Sequence, residues 1–282
     1  MVSPSIHELL YYPVKGCAGV SVPHAEVIST GLRNDRLFMV VDAADGAFLS
    51  QRTTPAMAVV RTAVTADGSV LTLSAPTAGE LTVPVSPEGD RRAVSLFGKW
   101  FGSGVDQGEP AAEWFSTVLG RACRLVRTPP EHDRDGWGEF PGKVGFADAH
   151  AVLVASLSSL DGLNERIVKH GGKAVPMNRF RPNLVVSGWP EPHTEDRVRR
   201  MSVGTVELAY AVRCVRCAVP MVEQSTGRRS GPEPIRSLAE YRREPEFGNG
   251  VSFGMKAGVL RPGALAVSDA ITVHAWEQRR AS

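Results

Sequence analysis

Between Val20 and Leu96 the hydrophobic positions fall in short runs divided by turn residues. Leu37–Val41 runs into Ala43-Ala44-Asp45-Gly46, a hairpin signature that predicts a return strand over Ala47–Ser50. Met57–Val64 and Ser69–Ser74 flank Thr65-Ala66-Asp67-Gly68, a second hairpin of the same kind, and Leu81–Val85 and Ala93–Phe97 continue the pattern. Strands this short and this numerous predict a barrel or sandwich. One helix follows: Pro110 suits its first position, Trp114, Phe115, Val118 and Leu119 share a face, and Gly120 stops it.

A strand over Cys123–Arg127 leads into a Pro/Gly/Asp-rich loop over 129–150, long enough to be a linker or a functional lid. Its start is the natural boundary, giving modules 1–128 and 129–282. In the second module Ala151–Ala155, Leu184–Ser187, Met201–Val219 and Ala264–Ala275 read as strands. Ser158–His170 reads as a helix with Leu160, Leu163 and Ile167 on one face and Gly171 as its stop. A shorter helix over Pro234–Arg243 groups Ile235, Leu238 and Tyr241. The expected fold is mainly β (α+β). Strand–helix alternation and a GxGxxG are both missing, which argues against a dinucleotide fold.

Composition narrows the class without naming it. The 282 residues are 43% hydrophobic and 22% charged, as in a soluble globular protein, and 28 glycines with 20 prolines fit a turn-rich β fold. A net charge of +2 gives no field to draw the chain to nucleic acid or an anionic membrane. No run reaches the roughly 20 apolar residues of a spanning helix, and the N-terminal MVSPSIHELLYYPVKG lacks the features of a signal peptide. Four scattered cysteines make no disulfide scaffold, so a cytoplasmic protein with reduced thiols is expected.

The most chemically loaded segment is VELAYAVRCVRCAVPMVE, from Val206 to Glu223. Uninterrupted alternation would place Val206, Leu208, Tyr210, Val212 and Cys214 in the core and Cys217 on the opposite face beside Arg213. A bulge between them would overturn this. Residues three apart in a strand are about 10 Å apart, too far for a disulfide. A zinc site lacks a second Cys/His pair, and a thioredoxin-like pair wants a helix after the motif. A thiolate next to arginine suits a soft or high-valent metal that brings further sulfur ligands on an organic cofactor. A phosphate on such a cofactor would call for cations, for which Lys15, Arg36, Arg52, Arg179 and Arg181 are candidates.

YYPVKGC, GLRNDRLFMVVD, NRFRPNLVVSG, RCVRCAVPMVEQSTG, PEPIRSLAEYRR and FGMKAGVLRPGALAVSD, in this order and spacing, resemble the MOSC proteins. The resemblance extends to the N-terminal β-barrel module that accompanies the MOSC domain in the mitochondrial amidoxime reducing component and bacterial relatives. It implies an N-terminal β-barrel-like module followed by a MOSC β-barrel with a few peripheral helices. It also implies a molybdenum–molybdopterin cofactor with Cys217 as the protein ligand of the metal. Lys15, Arg36, Arg181, Asn183 and Arg216 would hold the pterin and its phosphate, with Asp148-Ala149-His150 lining it.

The implied activity is two-electron reduction of N-hydroxylated compounds, with Asp148 a candidate proton relay. The chain has no C-terminal Cys-rich segment for an iron–sulfur cluster, so electrons are expected from a separate flavin, haem or iron–sulfur protein. The alternative is a carrier of the cofactor or its sulfur, without turnover. His150 stands where the family often has serine or threonine, and Lys256 where it often has an aromatic. Pro220, Met221 and Ser268-Asp269 also depart from its usual pattern. The charge at His150 and Lys256 bears on the substrate more than on the cofactor.

Overall fold

A computed structural model describes residues 3–278, so the outermost positions of both expected modules, 1–2 and 279–282, lie outside it. The chain is mainly β. Its strands form five open sheets among the described residues, so neither module is a closed barrel. The largest is nine-stranded. Its order runs Ile271–Trp276, Val198–Val203, Val206–Arg216, Gly250–Arg261, Val152–Ser156, Leu184–Ser187, Ser5–Tyr11 and Val20–Val22, with Arg243–Glu244 paired to Gly250–Arg261. A five-stranded sheet joins Arg91–Leu96, Trp100–Asp106, Cys123–Arg127, Phe38–Asp42 and Val14–Lys15.

Pairing does not follow a cut at residue 128. Ser5–Tyr11 lies antiparallel to Leu184–Ser187, and His24–Ile28 pairs with Gly263–Ala266. The first strands are thus stitched into the sheet of the C-terminal half before the chain crosses to its own module. This crossing carries Tyr12, Lys15 and Arg36 along the seam between the halves.

Alternation produces the cores. Leu71, Leu73 and Ala75 are the buried positions of Val70–Ala75 and join Val14, Phe38 and Leu125. Helix Glu109–Leu119 lays Trp114 and Phe115 on that core, with Pro110 in its first turn and Gly120 as a left-handed cap. The core of the large sheet gathers Leu9, Val154, Val186, Met201, Leu208 and Met255 from six strands. Helix Leu157–Lys169, capped by the Ser156 side chain on the Ser159 N–H, buries Leu160, Leu163 and Ile167 with Phe180 and Phe253.

Several expected elements divide at backbone breakers. Pro55 turns Pro55–Val59 into a 3-10 helix, leaving only Arg61–Val64 of the Met57–Val64 strand. Gly204, at φ +53°, splits Met201–Val219 into Val198–Val203 and Val206–Arg216. Ser268, at φ +75°, splits Ala264–Ala275 into Gly263–Ala266 and Ile271–Trp276. Ala47–Ser50 makes single bridges rather than a strand, and the helix over Pro234–Arg243 shortens to Ile235–Leu238.

The expected alternation through the two cysteines fails for a specific reason. Register slips three times along Val206–Arg216 against Gly250–Arg261, between Glu207 and Leu208, between Tyr210 and Val212, and again between Arg213 and Val215. Val206, Leu208 and Tyr210 belong to the large-sheet core, while Cys214 does not. Arg213 turns away from the cysteines to Glu244, with a 3.1 Å Nη1–Oε2 contact.

Candidate functional site

A cavity of about 170 Å³ opens along the seam. Its walls combine Lys15, Arg36 and Arg52 from the first half with Asp148, His150, Arg181, Asn183, Arg216, Cys217 and Lys256 from the second. Cys214 also lines it, so both thiols of the Cys-x-x-Cys face one cleft. Cys214 is buried and Cys217, just past the strand end, is partly exposed. Arg216 sits between them in sequence, donating Nη1 to Cys214 Sγ at 2.8 Å and Nη2 to the Phe180 carbonyl at 2.7 Å.

Two of the cleft arginines are held in backbone conformations that bulky residues rarely adopt. Arg36 has φ +47° and Arg181 φ +57°. Both guanidinium groups lie over the ring of Tyr12, at 4.3 and 4.2 Å from its centroid. Tyr12 secures both loops as well. Its hydroxyl donates to the Pro182 carbonyl at 2.9 Å, its N–H donates to Asp35 Oδ1 at 2.8 Å, and its carbonyl accepts from the Arg36 N–H at 2.8 Å. Asn183 accepts from Arg36 Nη1 at 3.1 Å and from the Leu153 N–H at 3.1 Å, and thereby aims Arg36.

Lys15 ends the short strand parallel to Phe38–Asp42 and is 5% exposed. Burial pulls its ammonium down to about 8 against the opposing pull of Asp148, its ion-pair partner. Burial works to raise the Asp148 carboxyl, but Lys15, with Lys256 and Arg52, outweighs it and holds the group well below the usual carboxylate range. The Asp148 side chain is itself half exposed, which moderates that coupling.

His150 lies against Trp137, with Nε2 2.6 Å from the Trp137 carbonyl. A carbonyl only accepts, so Nε2 carries the proton and Nδ1 is left as an acceptor. Burial, reinforced by Lys256, depresses the ring to about 4, so it is neutral at physiological pH. Arg179 is directed elsewhere. It donates to the Pro220 carbonyl and to Ser230 Oγ and lies outside the cleft lining, where it braces the segment after Cys217.

The cleft suits an anionic group with donors and acceptors of its own. Six cationic side chains face one carboxylate across it. Arg181 is 9% exposed and, among the described residues, meets only Gln224 Oε1, at 3.4 Å, as an acceptor. Arg52 Nε, Arg216 Nε and His150 Nδ1 are buried without a partner among the described residues. No group of three or more His, Cys, Asp or Glu among the described residues is placed to hold a metal. A metal at Cys217 would therefore need further ligands from a cofactor, and the cations of the cleft fit an anionic one. Sequence reasoning missed Tyr12, Phe48, Phe97 and Gln51. Tyr12 lay within a quoted motif, but its role depends on loops more than 20 and 160 residues away.

Fold and site together define a two-module, mainly β protein with a cationic cleft and a cysteine at its edge. The chain belongs to the MOSC family. Residues 3–122 match the MOSC N-terminal beta barrel domain and residues 141–272 the MOSC domain. It is 31% identical to mitochondrial amidoxime-reducing component 1 of Mus musculus, over 95% of this chain and 81% of that protein. It is 30% identical to the Homo sapiens protein of that name, over 95% and 82%. It is also 31% identical to molybdenum cofactor sulfurase of Danio rerio, over 85% of this chain and 31% of that protein.

Proposed function

We propose that this protein is a molybdenum-cofactor-dependent reductase that removes oxygen from N-hydroxylated compounds, with Cys217 as the protein ligand of the metal. The observation that carries this reading is a partly exposed thiol at the end of a bulged strand, in a cleft where six cations face one carboxylate. The kinship with amidoxime-reducing components supports the reaction. When bound, the molybdopterin group supplies the two-electron oxygen-transfer chemistry.

The chain's own residues position and tune. Cys217 presents sulfur to the metal, and Arg216 stabilises negative charge on the adjoining sulfurs. Lys15, Arg36 and Arg181 hold the phosphate and pterin, while Asn183 and Tyr12 fix the two arginines. Asp148 stays ionised beside Lys15, so the proton needed by the departing oxygen is held at Lys15 Nζ, close to neutrality, rather than on the carboxylate. The relay expected of Asp148 thereby becomes a counter-ion role. Neutral His150 offers Nδ1 as an acceptor inside the wall.

Electrons come, in this reading, from a separate flavin, haem or iron–sulfur protein, and the protein acts in the cytoplasm. No helix among the described residues is long and apolar enough to cross a membrane. The second reading, a carrier of the cofactor or its sulfur, draws support from the match to the sulfurase and from two thiols on one wall. Protein from a cofactor-competent host decides between them. The expected result is near-stoichiometric molybdenum, lost in Cys217→Ala, with turnover of benzamidoxime by an artificial reductant. Molybdenum without turnover establishes the carrier; metal and activity retained in Cys217→Ala overturn the ligand assignment.

A further inference from the structure

The cleft holds more positive charge than its proposed cofactor neutralises. A phosphate carries about two negative charges near neutral pH. An oxidised dioxo-molybdenum unit with dithiolene and thiolate sulfur carries a net charge of about minus one, counting the ion's own charge. With Asp148, and with Asp35 buried against Arg36, these would offset about five of the six cations. About one remains, and a partly buried cation without a counter-charge is a place for an anion to bind.

The structure indicates where this excess sits. Lys15 is paired with Asp148, Arg36 and Arg181 share the Tyr12 ring, and Arg216 adjoins the thiols. That leaves Lys256 and Arg52. Lys256 stands in the central strand Gly250–Arg261 between Met255 and Ala257, which are buried in the large-sheet core, so its side chain takes the other face and lines the cleft. Among the described residues no carboxylate lies within 4.0 Å of either cation. Arg52 lies 4.2 Å over the ring of Phe97, and its Nε is buried without an acceptor. Phe97 is 39% exposed, has φ +54°, and meets Phe48 edge to face at 5.5 Å. Arg52 therefore adjoins an open aromatic surface, and Lys256 lines the same cleft.

We propose that the preferred substrates are N-hydroxylated compounds with a carboxylate on a flat, apolar body, the carboxylate taken by Lys256 and Arg52 and the body lying on Phe97. This rests on the reductase reading and narrows it to a substrate class. The direct test compares benzamidoxime with 4-carboxybenzamidoxime on the molybdenum-loaded protein. KM for the anionic compound should be lower by about tenfold or more, the usual effect of a hydrogen bond to a charged group. Added salt should shrink the advantage. Lys256→Met should abolish the KM ratio and Lys256→Glu should reverse it, with Arg52→Gln as an independent variant.

A second measurement requires no turnover: calorimetric binding of 4-carboxybenzamide and of benzamide in the presence of inorganic phosphate. The anion should bind about tenfold more tightly, and Lys256→Met should remove the difference. Equal KM values and equal affinities overturn the substrate class, while metal content and benzamidoxime turnover leave the reductase standing. An anion preference that depends on Lys256, in a protein that holds no molybdenum, supports the charge recognition and sinks the reductase.

Discussion

Arg36 and Arg181, separated by 145 residues, stack on one aromatic ring, with guanidinium carbons 4.3 and 4.2 Å from the centroid of Tyr12. Two like charges this near each other are normally costly. The ring quadrupole, Asp35 behind Arg36 and the Asn183 amide offset part of that cost. The left-handed backbone of both arginines stores further strain, of the kind that persists where surrounding structure fixes a ligand site.

Tyr12 substitutions separate clamp from fold. Tyr12→Phe keeps the ring and loses one hydrogen bond to Pro182, so about 1 kcal/mol of stability should go while phosphate affinity is retained. Tyr12→Leu removes the stacking surface shared by both arginines. Calorimetric phosphate affinity should then fall at least tenfold, by the loss of about 1.4 kcal/mol or more of stacking. Equal affinity in the two variants, each shown to be folded by thermal melting, would refute a positioning role.

The two thiols should respond differently. Cys214→Ala removes the acceptor of Arg216 Nη1 from a buried position, so about 1–2 kcal/mol of stability should be lost by chemical denaturation. Cys217 is partly exposed, and Cys217→Ala should leave the unfolding midpoint nearly unchanged while emptying the protein of metal. If Cys214→Ala emptied the site and Cys217→Ala did not, the ligand would be the other sulfur.

Much of this was legible in the sequence, and the failures share a cause. Period-2 burial in Val70–Ala75, the Pro110 and Gly120 limits of a helix and the cluster of basic motifs all depend on neighbours along the chain. The face of Cys214 did not. It depends on slips of register against Gly250–Arg261, where Gly254 at φ +81° leaves no room for a Cβ beside the Val154 carbonyl. Arg213 and Arg179 looked like site residues by proximity in sequence, yet Glu244 and Ser230 claim them from elsewhere in the fold. The role of Tyr12 was not legible because the arginines it carries arrive from distant loops.

Acid should destabilise the protein over a defined window. Burial depresses His150 to about 4 and His193 to about 3, both below their ordinary 6.5. A depressed folded value means the unfolded chain binds the proton first, so stability is full above about 6.5 and is lost as pH falls through the folded values. At about 1.4 kcal/mol per unit, the His150 difference alone is several kcal/mol at most. Urea midpoints between pH 7 and 4 should therefore fall steeply, and His150→Gln should flatten part of the slope. An unchanged slope in that variant would remove His150 from the account.

Gly138 fixes the long loop that brings Asp148 and His150 to the cleft. Its φ is +107°, and a Cβ there would sit 2.4 Å from the carbonyl oxygen of Ala211, the residue at the slip of register between Tyr210 and Val212. The same carbonyl accepts from the Glu139 N–H at 2.9 Å, so loop and bulge hold each other. In Gly138→Ala the contact must open and the backbone must strain, at a cost of about 2–4 kcal/mol. The damage should be local first. Hydrogen exchange should rise over 134–150 ahead of the strands, and anion affinity should fall as Asp148 and His150 lose their places. A variant with native exchange in that loop and native affinity would show that the bulge at Ala211 does not position this wall of the cleft.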